Sequence, residues 1–345
     1  MASSLVDPAR TRYLRARLAR WYGERRRDLP WRRTTDPYRI WISEAMLQQT
    51  RVAAAIPYYE RFVEKLPDAA ALARAPVDEV LTLWAGLGYY RRARLLKAAA
   101  EKVVRLHGGA LPSGEEELMA LPGIGRYTAG AIRSIAFGLR APILDGNVFR
   151  VFARFFALTG SWNREADKKR FWEIAETLVP SRNPGDFNQA LMELGALICT
   201  PSSPGCAACP VRRRCAAHAR GEVDRFPEAR PKRRPERIER EMYVVTDRRG
   251  RVLFLRRPEG GRMAGMWDLP GEPPPAAGPV SKRGSFRHTI LHRRYEIDVF
   301  AARTEGPARS GPGGRWVARE DLAEFPLTTM ANKALRLVPP EGDEL

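Results

Sequence analysis

Leu121-Pro122-Gly123-Ile124-Gly125 interrupts two runs of helical character. The run before it ends in Leu118-Met119-Ala120. The run after it extends from about Tyr127 to Phe137, with Ala131, Ile132 and Ile135 on one face. Glycine lets a backbone turn tightly and approach a ligand closely, and the free amides that open the following helix can bind a phosphate. A Gly-x-Gly turn by itself is common between helices. The complete run, with a basic residue and a long helix after it, matches a helix-hairpin-helix element.

Outward from this turn, residues 10–215 read as mostly helical. Leu14, Leu18, Trp21 and Tyr22 keep helical spacing, as do Val80, Leu83, Trp84 and Leu87, then Ala93, Leu96, Ala100 and Val103, and Phe187, Leu191, Leu194 and Ile198. Residues 224–240, with Pro227, Pro231 and Pro235 among many charges, read as an exposed linker. Beyond it the pattern turns β-like. Met242–Thr246 and Arg251–Arg256 flank a polar turn and form a hairpin candidate. Arg294–Phe300 and Arg315–Ala318 are further strand candidates, and residues 320–325 and 330–338 look like short helices. A chain of 345 residues is expected to divide: a mostly α domain over residues 1–223, the linker 224–240, and a small α/β domain over residues 241–345.

The net charge of +19 points to a polyanionic partner. Compositional drift in a GC-rich gene would favour arginine over lysine but does not explain so large an excess, so nucleic acid is the expected partner. No stretch approaches the ~20 apolar residues that span a bilayer, and the N-terminus has no apolar signal core. Its arginines would suit an organellar presequence, but the apolar spacing from Leu14 to Tyr22 argues for a folded helix. A cytoplasmic monomer is expected, associated with the nucleoid through DNA.

The four cysteines, Cys199, Cys206, Cys209 and Cys215, all fall within one short stretch, which suggests a metal site rather than scattered disulfides. Zinc sites usually draw on two close ligand pairs, whereas only Cys206 and Cys209 are close here. Spacing alone therefore favours a [4Fe–4S] cluster and leaves zinc open. Arg212, Arg213 and Arg214 lie in the loop between the last two cysteines, suited to phosphate contact or simply to solvent. Downstream of the hairpin, Asp145 in Leu144-Asp145-Gly146-Asn147-Val148 would read as a helix N-cap if it stood alone.

It does not stand alone. The hairpin, the aspartate and the cysteine spacing together resemble the iron–sulfur branch of the helix-hairpin-helix DNA glycosylases, shared by endonuclease III and the MutY-type adenine glycosylases. Leu29-Pro30-Trp31-Arg32, Trp41-Ile42-Ser43-Glu44-Ala45-Met46-Leu47-Gln48-Gln49-Thr50 and Gly86-Leu87-Gly88-Tyr89-Tyr90 are near-verbatim signatures of the MutY-type family. The resemblance is close over residues 10–220 and looser beyond. It implies a base-excision enzyme acting on adenine opposite 8-oxoguanine or guanine, carrying a [4Fe–4S] cluster on the four cysteines. Glu44 matches the general acid that protonates the adenine. Burial of its apolar segment would keep it protonated. Asp145 matches the carboxylate that stabilises the cationic sugar, and Tyr127 and Asn147 match residues that assist it. Endonuclease III-like enzymes have a lysine where Tyr127 stands. Tyrosine forms no Schiff base, so hydrolysis without lyase activity is expected. Trp31, Arg32 and Glu193 resemble adenine-pocket residues, and Gln49 and Tyr89 resemble residues that wedge into the duplex. Thr50 and Leu87 resemble those that approach the opposing base, and Gly123 and Gly125 form the DNA-binding hairpin. Trp31, Leu87 and Tyr89 are equally compatible with simple core.

In this family the C-terminal domain resembles a Nudix hydrolase and checks the base opposite adenine. The carboxylate-rich metal motif of active Nudix enzymes is absent, because Glu272 after Leu269-Pro270-Gly271 is followed by Pro273-Pro274-Pro275. The family's Phe-Ser-His recognition loop is placed at Phe286-Arg287-His288, where arginine supplies donors only. Two alternatives are an endonuclease III-like enzyme for oxidised pyrimidines, opposed by Tyr127 and the C-terminal domain, and a catalytically silent DNA-binding relative, opposed by the presence of both Glu44 and Asp145.

Overall fold

A computed structural model describes residues 6–229, 234–275, 277–304 and 313–340. The chain forms two compact units. One comprises Met1–Val63, Asp68–Ala70 and Ala99–Pro231; the other comprises Glu64–Pro67, Ala71–Ala98 and Lys232–Leu345. Residues 71–98 therefore cluster with the C-terminal part of the chain, a long-range association that chain order does not suggest.

The first unit is helical. Its central helix, Gly146–Phe156, buries nearly its whole length. Phe149 stacks on Phe171 at 3.9 Å, and Phe152 and Phe155 join Leu14, Leu18, Ile174 and Leu191 in one apolar cluster. Each fully buried large apolar side chain of this kind contributes roughly 1.5–3 kcal/mol. The hairpin expected from Leu121–Gly125 is present between the helices Glu115–Met119 and Arg126–Ile135. Gly123 takes a φ of 81°, a conformation that costs glycine little. The second helix has no side-chain cap, which leaves its first amides available.

The second unit holds a six-stranded mixed sheet. Its strands are β1 (Glu236–Thr246), β2 (Val252–Arg256), β3 (Trp267–Asp268), β4 (Ser281–Ile290), β5 (Arg293–Arg303) and β6 (Gly314–Val317), in the order β3-β2-β1-β5-β4, with β6 also on β2. β1 runs parallel to β5 along its full length, and β4 returns antiparallel on β5. The hairpin expected around Asp247 is present: Asp247 Oδ1 accepts from the amides of Arg249 and Arg251, each at 2.9 Å. A 3₁₀ turn at Arg319–Glu324 and the helix Thr329–Arg336 occupy the two short-helix positions. β1 begins at Glu236, inside the stretch read as linker. The charges there belong to the exposed positions of a paired strand, and Pro231 lies outside the described residues. Among the described residues no helix is long and apolar enough to cross a membrane.

Candidate active site and cysteine loop

An open cleft of about 1050 Å³ in the first unit is lined by Trp31, Arg32, Glu44, Gln49, Thr50, Gly123, Gly125, Tyr127, Asp145, Asn147 and Glu193. Residues far apart in the chain thus meet on one surface, with the hairpin at its edge.

Glu44 sits on the helix Pro37–Leu47, whose start is capped by Asp36, and it is only 5% exposed. Burial lifts its carboxyl to about 7, and the negative charge of Asp145 adds to the rise; a hydrogen bond with Tyr127 and the charge of Arg32 oppose it. Burial likewise raises the Tyr127 phenol well above its ordinary value, with further increments from Glu44 and Asp145. The Tyr127 hydroxyl also lies 3.0 Å from Met192 Sδ.

Asp145 is indeed a helix N-cap, accepting from Val148 N at 2.7 Å. Its other oxygen accepts from Asn147 Nδ2 at 3.0 Å. Burial pushes its carboxyl up, against the lowering effect of these two donors and of Arg150. Capping and cleft exposure are properties of the same side chain, so the bland and the functional interpretations of Asp145 do not compete.

Two buried arginines, absent from the sequence-based set, tie this end of the helix to the cysteine loop. Arg150 donates to Asn147 Oδ1 at 2.9 Å, Gly195 O at 2.8 Å and Cys199 O at 2.7 Å. Holding Asn147 Oδ1 turns its amide nitrogen toward Asp145. Gly195 is required beside it, since a Cβ there would meet Asn147 Cβ at 2.7 Å. Arg154, one turn on, donates to Thr200 O at 2.6 Å, Val223 O at 3.1 Å and Phe226 O at 3.0 Å. The sequence signal was available: two arginines at i and i+4 inside an otherwise apolar helix must find buried acceptors. Arg150→Leu would leave these acceptors unpaired at about 1–3 kcal/mol each. We expect a lower melting temperature together with slower chemistry, measured by calorimetry and single-turnover kinetics on the same preparation.

At the other wall, Glu193 is 1% exposed. It accepts from Arg27 through Nε (2.9 Å), Nη2 (2.6 Å) and the backbone amide (3.1 Å), and from Arg32 through both terminal nitrogens (3.0 and 2.9 Å). Burial alone would raise its carboxyl, but these donors prevail and hold it at about 2. Arg27 was not singled out from sequence. Trp31 is buried edge-on against Tyr59 at 5.3 Å.

Gln49 and Tyr89 share a backbone oddity: both are exposed and both have positive φ, 62° and 51°. Non-glycine residues are held there only by a determined surrounding structure, and such positions cluster at functional sites. Leu87 and Tyr89 belong to the second unit, Leu87 largely buried and Tyr89 43% exposed.

Phe286, Arg287 and His288 do not form a loop. They lie inside β4, opposite Ile297, Glu296 and Tyr295 of β5. β4 pairs with the neighbouring β5 across a tight turn at residues 291–292. Phe286 packs on the apolar cluster under the sheet, while the Arg287 side chain is 87% exposed and 3.6 Å from Glu296. The tip of this hairpin is Leu291, 61% exposed with a φ of 58°.

Cys199, Cys206, Cys209 and Cys215 line one small cavity together with Val151, Phe155, Leu194 and Arg154, and none is in a disulfide. Among the described residues no three His, Cys, Asp or Glu side chains come together as a single-ion site; the thiols ring a cavity instead. Burial pushes the Cys209 thiol up to about 12, with the neighbouring thiols adding to the rise. Arg154 Nη1, 3.5 Å from Cys199 Sγ, supplies a donor to the set. The arrangement fits a polynuclear cluster.

Residues 42–177 match the family described as HhH-GPD superfamily base excision DNA repair protein, and residues 241–337 match the NUDIX domain. A human protein named adenine DNA glycosylase is 35% identical over 96% of this chain and 75% of its own length. A Schizosaccharomyces pombe protein of the same name is 34% identical over 74% of this chain and 68% of its own. Among solved structures, a thermostable thymine-DNA glycosylase aligns with a TM-score of 0.57 at 34% identity, covering 61% of this chain and 98% of that one. A trapped endonuclease III–DNA covalent intermediate aligns with a TM-score of 0.54 at 22% identity, covering 63% and 99%, a likeness of fold.

Proposed function

This chain belongs to the adenine DNA glycosylase family, and from that premise we propose that it hydrolyses the N-glycosidic bond of adenine mispaired with 8-oxoguanine or guanine, without a covalent lyase step. The observation that carries this reading is the buried carboxyl of Glu44 lining one cleft together with Tyr127 and Asp145.

A base inside the duplex is out of reach, so the adenosine must swing out into the cleft. Glu44, in which burial favours the protonated form, gives its proton to the purine ring and makes it a leaving group. As the bond breaks, positive charge grows on the sugar. The Asp145 carboxylate, oriented by Asn147 and Val148 N, stabilises it. Water completes the hydrolysis. Glu193 uses both of its oxygens to hold Arg27 and Arg32 in place at the wall of the cleft that would receive the base. Tyr127 offers no amine, so sodium borohydride should trap little protein on DNA; efficient trapping would overturn the monofunctional reading. The helical domain is assigned catalysis and the sheet domain inspection of the opposing base.

The four cysteines are assigned to a [4Fe–4S] cluster, which when bound would stiffen the loop carrying Arg212, Arg213 and Arg214 and take no part in bond cleavage. Near four iron and four sulfide per chain would support it, and stoichiometric zinc would refute it. Since Arg287 is solvent-facing on β4, Arg287→Ser should alter the ratio of excision opposite 8-oxoguanine and guanine by weakening one duplex. Identical rates and affinities on both would remove Arg287 from mispair recognition.

A further inference from the structure

The second unit joins two stretches that are distant in sequence: the helix–turn–helix segment 77–98 and the C-terminal sheet domain. The helix Val77–Trp84 enters the turn Gly86–Tyr90, and the helix Arg91–His107 leaves it. Both helices are gripped beside the turn. Asp78, in the first turn of the entering helix, pairs with Arg256 of β2 at 2.5 Å. Arg94, in the first turn of the leaving helix, pairs with Glu259. Thr82 Oγ1 donates to Glu324 O at 3.1 Å.

The turn itself is tightly determined. Trp84 Nε1 and Arg92 Nη2 both donate to Gly88 O, at 3.2 and 3.1 Å. The Arg92 guanidinium lies 5.3 Å from the centre of the Trp84 ring and 5.4 Å from that of Tyr89. Tyr89 is thereby presented to solvent in a conformation that a loose turn would not keep.

We infer that the sheet domain positions the Gly86–Tyr90 turn through the Asp78–Arg256 and Arg94–Glu259 pairs, so that Tyr89 and the domain assigned to inspect the opposing base meet the duplex as one body. This rests on the proposed duplex contact of Tyr89. An isolated exposed ion pair contributes little. Here two pairs and a hydrogen bond act on the two helices that flank one turn, and reversal of a charge replaces attraction by repulsion.

The test uses full-length, cluster-loaded protein and a duplex carrying 2′-fluoro-2′-deoxyadenosine opposite 8-oxoguanine, so that affinity is read without cleavage. Asp78→Arg and Arg256→Asp should each weaken binding by roughly 5-fold, and the double swap should restore it to within about 2-fold, as expected for a directly coupled pair. Tyr89→Ala should also weaken binding, and adding Asp78→Arg to it should cost about nothing further, since both act through the same turn. Additive losses, or a folded double swap that fails to restore affinity, would overturn the inference. A Tyr89→Ala variant with unchanged affinity would instead remove the duplex contact on which it rests. Arg94→Glu with Glu259→Arg supplies the same cycle should an Asp78 variant fold poorly.

Discussion

Replacing Glu44 with glutamine should slow single-turnover adenine release by roughly 10²–10⁴-fold, the usual worth of a positioned general acid, while the mispair remains bound. Glutamine keeps the size of the side chain, but it cannot give up a proton. The parent enzyme should lose activity as pH rises through about 7, where burial places the Glu44 titration. Linkage gives a second readout. A glutamate held at about 7 in the fold and 4.5 when unfolded contributes stability that is fully present below pH 4.5 and lost as pH rises through 7. A displacement of that size corresponds to about 3 kcal/mol. Glu44→Gln should therefore be more stable than the parent at pH 8, with the difference closing toward pH 4.5. Melting curves across this range check it. A variant that retains excision would mean that the acid is another group.

Asp145→Asn should lower adenine release by a comparable factor. Asparagine caps a helix about as well as aspartate, so Val148 N keeps an acceptor, while the new amide nitrogen faces the Asn147 Nδ2 donor and should cost about 1–3 kcal/mol of stability. What disappears is the negative charge beside the sugar, where electrostatic stabilisation is most effective. Asp145→Ala removes cap and charge together and should cost about 1 kcal/mol of stability in addition. If Asp145→Asn excised adenine at the parent rate, Asp145 would be a cap alone.

The parts of the fold and site written in local pattern were legible in the sequence. Leu121–Gly125 carries its own turn chemistry, and Asp145 reads as the N-cap of the helix that starts at Gly146. The run from Trp41 to Thr50 delivered Glu44 through resemblance rather than through physics. What escaped notice depends on distant partners. The parallel pairing of residues 236–246 with 293–303 lies between segments half a domain apart, so the charges of β1 looked like linker. β4 pairs locally with β5 across a tight turn, and Phe286, Arg287 and His288, placed in a loop by resemblance alone, lie in that strand. Arg27, Arg150 and Arg154 were not singled out, because their acceptors, Glu193 and the cysteine-loop carbonyls, lie far from them in sequence. The association of residues 71–98 with the sheet domain has no local signature, since Asp78 and Arg94 are ordinary helix-surface charges in the sequence.

Single-turnover release of the free base, measured on duplexes that carry adenine opposite 8-oxoguanine, guanine, cytosine or thymine and thymine opposite guanine, tests the assigned chemistry most directly. Adenine should be released opposite 8-oxoguanine and guanine, thymine should not be released from its guanine pair, and Glu44→Gln should release neither base. Release of thymine or an oxidised pyrimidine in preference to adenine, or adenine release that survives in Glu44→Gln, would contradict it.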